Sequence, residues 1–296
     1  MHKNIFNYPL SYASALEHAV NKFHKAGISN PVIDAKALLC GVSDFSNATL
    51  ILRGNDIIPQ IELEKFWKFV KRRLSGEPIA YILKRKEFWS LDFSVDNSTL
   101  IPRPDSEILV EAVIDFIREI DIEKPKILDL GTGSGCLLIA ILSELPEAVG
   151  FGVDISKAAS KVAKTNAKRH ELDSRAFFFV GDWAEPINSY VDLIISNPPY
   201  IKNQDRKTLA KDIIEFEPNK ALFAGKDGLD SYRAIASDIR RILHPGGRIF
   251  VEIGAGQSEE VKKIFYDKGF YLVGTWHDLA GIERCMGFAT TKLKKN

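Results

Sequence analysis

At 296 residues the chain exceeds the usual single-domain size, so two domains and a sizeable core are expected. Its 45% apolar and 27% charged residues are ordinary for a water-soluble protein. No stretch approaches the roughly 18 apolar residues of a membrane span, and the first ten residues lack the apolar core of a secretory leader. A net charge of +1 gives no bulk reason for nucleic-acid binding, while three dispersed cysteines (Cys40, Cys136, Cys285) argue against disulfides or a zinc site and for the reducing cytosol.

Residues 11–83 read as helices. The segment 11–26 puts Ala15, Leu16, Ala19, Val20 and Phe23 on one stripe before Gly27, and 31–39 repeats the pattern before Gly41. A further helix over 62–74 carries Leu63, Phe66, Trp67, Val70 and Leu74 on its apolar side. These make a small helical domain over residues 1–83. Basic residues gather near its end (Lys65, Lys68, Lys71, Arg72, Arg73, then Lys84, Arg85, Lys86), as a solvated face or a contact surface for an acidic partner.

Residues 87–95 alternate and read as extended, with a turn at Asp96 and Asn97 and a second extended piece to residue 101. A β-hairpin linker over 84–103 is expected, ended by Pro102 and Pro104, which cannot donate to a ladder. Asp105 and Ser106 are candidate caps for a helix over 107–120. From residue 126 strands and helices alternate, with strands expected at 126–130, 149–153, 176–180, 191–196, 247–252, 270–275 and 285–291. That alternation predicts an α/β domain over 104–296, with a seven-stranded, mostly parallel sheet covered on both faces.

Two turns carry the chemistry. Asp129-Leu130-Gly131-Thr132-Gly133-Ser134-Gly135 joins the first strand of that sheet to a helix, where glycines allow close backbone approach and a helix N-terminus offers free N–H groups. The dinucleotide pattern fits poorly, since Cys136 occupies the third glycine slot counted from Gly131, and no Gly-Lys-Ser/Thr follows to hold a triphosphate. Asp154 ends the second strand where an acid can accept from both hydroxyls of a ribose, and Asp182-Trp183 ends the third, where a carboxylate and an indole can hold adenine. Together these describe an adenosine pocket.

The second turn is Asn197-Pro198-Pro199-Tyr200, at the carboxyl end of the strand 191–196. Asn197 offers an amide oxygen, Pro199 restricts the direction of the Pro198 carbonyl, and Tyr200 adds a ring for stacking and a hydroxyl. Two acceptors facing one –NH2 suit a planar amide or the amino group of a base.

With both turns in view, the chain resembles the class I S-adenosylmethionine-dependent methyltransferases, which share a Rossmann-like sheet. Asn-Pro-Pro-Tyr is common to DNA adenine-amino and protein glutamine methyltransferases. Leu100 to Glu107 (LIPRPDSE), Phe216-Glu217-Pro218, Gly225 to Leu229 (GKDGL), Glu252-Ile253-Gly254 and Asp278 to Arg284 (DLAGIER) resemble the peptide chain release factor glutamine methyltransferases over nearly the whole chain. Two departures are visible: Ser106 stands where Thr is expected, and Lys84 where Gly is expected. The resemblance implies methylation of the amide nitrogen of the Gly-Gly-Gln glutamine in bacterial release factors, with the helical domain recognising the substrate. It further implies that Gly131, Thr132, Gly133, Ser134, Gly135 and Asp154 hold S-adenosylmethionine beside Asp182 and Trp183, and that Asn197, Pro198, Pro199 and Tyr200 bind the glutamine. Asn197 touches both ligands in this reading. A cytoplasmic monomer without metal, membrane or direct nucleic-acid substrate is expected, with a ribosomal-protein glutamine methyltransferase or a DNA adenine-amino methyltransferase as the alternatives.

Overall fold

The computed structural model describes residues 9–120 and 122–291, and the chain divides into two compact units between Lys84 and Arg85. In the first unit α1 (Tyr12–Lys25), α2 (Pro31–Ser43), α3 (Asn47–Leu52), α4 (Gln60–Leu74) and α5 (Ile79–Leu83) enclose Phe23, Leu38, Leu39 and Phe66, all fully buried. Serines start two of these helices: the Ser11 hydroxyl accepts from Ser14 N at 3.2 Å and that of Ser46 from Thr49 N at 3.0 Å.

Three details differ from the sequence expectation. Helix α2 runs through Gly41 to Ser43, because the missing side chain is where α5 rests: a Cβ on Gly41 would stand 2.5 Å from Leu83 Cδ2. Helices α3 and α5 are too short to display a helical period. The basic cluster is partly internal, since Arg73 Nε donates to Asp34 at 2.7 Å, and Arg72 donates to both oxygens of Glu77, leaving Lys65, Lys68 and Lys71 exposed. Lys84 closes α5 with φ +58, a left-handed position where glycine is the unstrained residue.

The second unit opens with the hairpin β1 (Arg85–Phe88) and β2 (Leu91–Ser94). The hairpin turns at Trp89 and Ser90, which have positive φ (+52 and +56) without being Gly or Asn; the turn expected at Asp96 and Asn97 also forms, with Thr99 N donating to Asp96 O at 3.1 Å, but joins no pair of strands. Tertiary bonds hold the hairpin turn in place: Trp89 N donates to Glu107 Oε1 and Trp89 Nε1 to Glu144 Oε1, each at 2.9 Å. The hairpin is also tied to this unit by Asn166, which accepts from Ser94 N at 2.7 Å and donates to Ser94 O at 3.0 Å.

There follow α6 (Glu107–Ile120), β3 (Lys126–Leu130), α7 (Cys136–Glu144), β4 (Val149–Asp154), α8 (Lys157–Arg169), β5 (Ala176–Val180), β6 (Val191–Ser196), α9 (Lys211–Phe216), α10 (Asp230–Asp238), β7 (Leu243–Glu252), α11 (Ser258–Asp267), β8 (Tyr271–His277) and β9 (Glu283–Ala289). The seven strands from β3 onward form one sheet in the order β5-β4-β3-β6-β7-β9-β8; β9 alone runs against its neighbours, and the rest of the ladder from β5 to β7 is parallel. Side chains alternate between two cores. Ile127, Leu193, Ile195 and Phe250 pack with α6 and α7, while Leu128, Leu130, Ile194, Ile249 and Val251 pack with α10 and α11. Strand β3 is flanked by β4 and β6, so the chain order reverses there and a crevice opens at the carboxyl ends of these strands.

Candidate active site

The loop after β3 hangs on the end of β4. Gly131 N and Thr132 N both donate to Val153 O, at 2.9 and 3.0 Å, and Gly135 N donates to Thr132 O at 2.8 Å. Gly131 takes φ +73, and a Cβ built on it would stand 3.6 Å from Trp183 Cζ3, so the indole lies against the loop's first residue. Gly135 takes φ +78 for a different reason. Its Cβ would meet Ile139 Cδ1 at 3.1 Å and Ala163 Cβ at 3.2 Å, which places it at the packing of α7 on α8 and not on the cavity wall.

Carboxylates brace this loop. Thr132 Oγ1 donates to Asp129 Oδ2 at 2.6 Å, and Gly133 N donates to Asp154 Oδ2 at 2.9 Å. Asp129 is buried, and burial pushes its pKa up to about 7, against the opposing bond from Thr132 and with a further upward push from the charge of Asp154. Its Oδ1 has no hydrogen-bond partner among the described residues. Asp154 itself is raised, by burial first, and accepts one backbone N–H on each oxygen, the second from Ser156 N at 2.8 Å.

A cavity of about 670 Å³ opens over the loop, and Gly131, Thr132, Gly133, Ser134, Asp154, Asp182, Trp183, Asn197 and Pro199 all line it. This donor set fits S-adenosylmethionine. A carboxylate has about four lone-pair sites, so Asp154 retains acceptors for ribose hydroxyls. Trp183 offers an apolar face for a purine, and a cationic ligand over the loop would relieve the unpartnered oxygen of Asp129.

A second, smaller cavity of about 160 Å³ is lined by Asn197, Pro198 and Tyr200 together with Leu100, Arg103, Ile213 and Leu222. Asn197, Leu100, Arg103 and Ala221 line both cavities and so form the wall between them. Arg103 is held by Glu217, which is buried and accepts from Arg103 Nη2 at 2.5 Å and from Ile101 N at 3.2 Å.

Behind Asn197 stands a polar network. Asn197 Nδ2 donates to Ser106 Oγ at 3.0 Å, Ser106 Oγ donates to Glu252 Oε2 at 2.5 Å, and Tyr200 Oη donates to Glu252 Oε1 at 3.3 Å. Ser106 therefore does not cap α6, as expected from its place in the sequence; its hydroxyl is directed into the network. Glu252 is buried, and burial raises its pKa to about 7 despite the bonds from Ser106 and Tyr200 and the nearby charge of Arg284; Asp105 adds to the rise. Burial likewise pushes the Tyr200 phenol up, with the charge of Glu252 next. Gln257 staples the other side: its Nε2 donates to Tyr200 O and its Oε1 accepts from Gly254 N, both at 3.1 Å.

Sequence reasoning missed Ser106, Gln257 and Asn166 as site supports. Ser106 lay within a quoted motif but read as a cap. Asn166, fully buried on α8, donates to Ser134 O at 2.8 Å as well as binding the hairpin, and a lone polar residue in an amphipathic helix carries no signal of that.

Comparison with known proteins places the chain among methyltransferases. Residues 14–83 match the PrmC N-terminal domain and residues 105–225 the Methyltransferase small domain. The release factor glutamine methyltransferase of Rhodospirillum rubrum is 38% identical over 271 residues, 92% of this chain and 82% of that protein. That of Agrobacterium fabrum is also 38% identical, over 91% of this chain and 94% of its own length. The Rickettsia typhi bifunctional methyltransferase is 37% identical over 97% of this chain, which spans 58% of that longer protein. Among solved structures, the hMettl16 catalytic domain bound to MAT2A 3'UTR hairpin 1 superposes with TM-score 0.54 at 14% identity, over 81% of this chain and 85% of its own, a likeness of fold.

Proposed function

This chain belongs to the release factor glutamine methyltransferase family, and we propose that it moves a methyl group from S-adenosylmethionine to the side-chain amide nitrogen of the glutamine in the Gly-Gly-Gln motif of bacterial release factors. The observation that carries this reading is the position of Asn197 on the wall between a large cavity and a small one, with its amide nitrogen already bonded to Ser106. Its oxygen remains as the end available to a ligand. Bound S-adenosylmethionine supplies an electrophilic methyl group on a sulfonium. In this reading Gly131, Thr132, Gly133 and Ser134 lie beneath the cofactor, Gly135 sets the turn, Asp154 takes the ribose, and Asp182 and Trp183 take the adenine.

The small cavity takes the glutamine. An amide nitrogen is a poor nucleophile because its lone pair is delocalised into the carbonyl, so the protein must supply geometry. Asn197 Oδ1 and the Pro198 carbonyl each accept one N–H of the substrate, which turns the nitrogen lone pair toward the large cavity. Holding such an arrangement is worth on the order of 7 to 11 kcal/mol. The same two acceptors stabilise the positive charge that develops on nitrogen. Pro199 keeps the Pro198 carbonyl from swinging, and the Tyr200 ring packs beside the carboxamide. The methylated nitrogen is acidic and loses its proton afterwards, so no strong base is required.

The test is to incubate the protein with methyl-labelled cofactor and, separately, a release factor, ribosomal proteins and duplex DNA, and to locate the label by peptide mass. Label on the Gly-Gly-Gln glutamine is expected. Label confined to ribosomal protein or to adenine refutes the assignment.

A further inference from the structure

A carboxamide is nearly symmetric in shape, so nothing in the packing of Asn197 alone decides which end carries oxygen and which nitrogen. The hydrogen-bond network decides it. Ser106 is buried and touches the Asn197 side chain, but a hydroxyl can donate as well as accept and would tolerate either orientation. While Glu252 is ionised, the single proton of that hydroxyl is committed elsewhere, to Glu252 Oε2 at 2.5 Å. Ser106 Oγ can then only accept, and only the Nδ2 end of Asn197 can satisfy it. The same carboxylate accepts from Tyr200 Oη through its other oxygen, so both ends of the Asn197 to Tyr200 segment refer to one buried group.

We propose that Ser106 and Glu252 are a positioning pair that locks the Asn197 amide with its oxygen outward, so that the small cavity selects a carboxamide and rejects a carboxylate; this rests on the glutamine reading of the site. With Asn197 Oδ1 and the Pro198 carbonyl both acceptors, a glutamine –NH2 is satisfied, whereas a glutamate carboxylate oxygen at the same point meets two oxygens, and the cation on the cavity wall, Arg103, is already paired with Glu217. Release of the lock lets the Asn197 amide turn and offer N–H to a carboxylate. The pair therefore acts on specificity through Asn197 without touching the reacting atoms. Ser106 in place of the Thr expected at this position keeps the one hydroxyl that the lock needs.

The experiment compares the wild type with Ser106→Ala, Ser106→Thr and Glu252→Met in the full chain, at about pH 8, where Glu252 is ionised. Two peptides carrying Gly-Gly-Gln and Gly-Gly-Glu serve as substrate and competitor, and cofactor affinity is measured in parallel. Ser106→Ala is expected to lower kcat/KM for the glutamine peptide about 10- to 100-fold and to tighten inhibition by the glutamate peptide about 10-fold relative to wild type. Cofactor affinity should stay within about twofold, Ser106→Thr should behave as wild type, and Glu252→Met, which leaves the Ser106 proton without its acceptor, should lose discrimination as Ser106→Ala does. Unchanged discrimination in Ser106→Ala or Glu252→Met, or loss of cofactor binding in step with it, overturns the pair. A readout independent of substrate is the side-chain amide NMR signal of Asn197, assigned by its disappearance in Asn197→Asp. The signal is expected to shift in Ser106→Ala and not in Ser106→Thr. A signal indifferent to Ser106→Ala overturns the lock whatever the substrate proves to be, whereas a shifted signal with no methylation of the Gly-Gly-Gln peptide by wild type supports the lock and rejects the glutamine reading.

Discussion

Gly228 and Gly281 share a backbone angle, φ +78, and differ only in what surrounds them. A Cβ on Gly281 would meet nothing within 4 Å, whereas one on Gly228 would stand 2.4 Å from the backbone oxygen of Tyr200 and 2.9 Å from Gln257 Nε2. Alanine at Gly281 bears the left-handed penalty of about 1 to 2 kcal/mol, offset in part by about 0.4 to 1 kcal/mol of lost unfolded-state entropy, so a destabilisation near 1 kcal/mol is expected. At Gly228 the contact with Tyr200 must also open by about 0.6 Å to reach 3.0 Å, and backbone cannot give way as a side-chain end can. Overpacking of that kind adds about 1 to 3 kcal/mol. The displacement falls on Tyr200, in the turn that holds the candidate acceptors, and misplacement of order 1 Å costs about 100-fold in rate. Urea denaturation and methyl transfer to a release factor, run on both variants, should separate them: Gly228→Ala less stable by about 2 to 4 kcal/mol and slower by about 10- to 100-fold, Gly281→Ala less stable by about 1 kcal/mol with normal turnover. Equal stability loss in the two, or wild-type turnover in Gly228→Ala, would show that the crowding at Tyr200 has no consequence.

Asn197→Ala should keep cofactor affinity, read by calorimetry, and lose turnover by about 100-fold or more, since it removes one of two acceptors that orient the substrate; near-normal turnover refutes the role. Lys84→Gly should raise unfolding free energy by about 0.5 to 1 kcal/mol, because Lys84 holds φ +58 at the end of α5; unchanged or lower stability in denaturant melts would count against it. Glu252 has its folded pKa raised from 4.5 to about 7, so between those values the folded state binds more protons than the unfolded one. Its contribution is therefore full below about pH 4.5 and declines as pH rises through about 7, by about 3 kcal/mol at most. Wild type should lose stability relative to Glu252→Gln between pH 5 and pH 7; a difference that stays constant with pH refutes the assignment.

How far the sequence reaches can be judged residue by residue. Short aliphatic runs such as those around Ile127, Val153 and Ile194 announce themselves because a strand buried on both faces has few polar positions. The loop 131–135 and the turn 197–200 are legible for a similar reason: glycine at positive φ and paired prolines are local requirements written in local letters. Asn197, Pro198 and Tyr200, which line the small cavity, are therefore legible in the sequence as a turn.

What tertiary structure decided is everything in which a residue's role depends on a distant partner. The hairpin turns at Trp89 and Ser90 because Glu107 and Glu144 hold Trp89, while the locally encoded turn at Asp96 and Asn97 forms without pairing strands. Arg72 and Arg73 leave the basic face because Glu77 and Asp34 take them. Ser106 becomes a support for Asn197, 91 residues away, because Glu252 arrives from β7 to claim its proton. Local propensity determined the elements and the two turns of this protein; hydrogen bonds between residues remote in the chain determined which way its key side chains face, since a donor's direction is set by where its acceptor ends up in space.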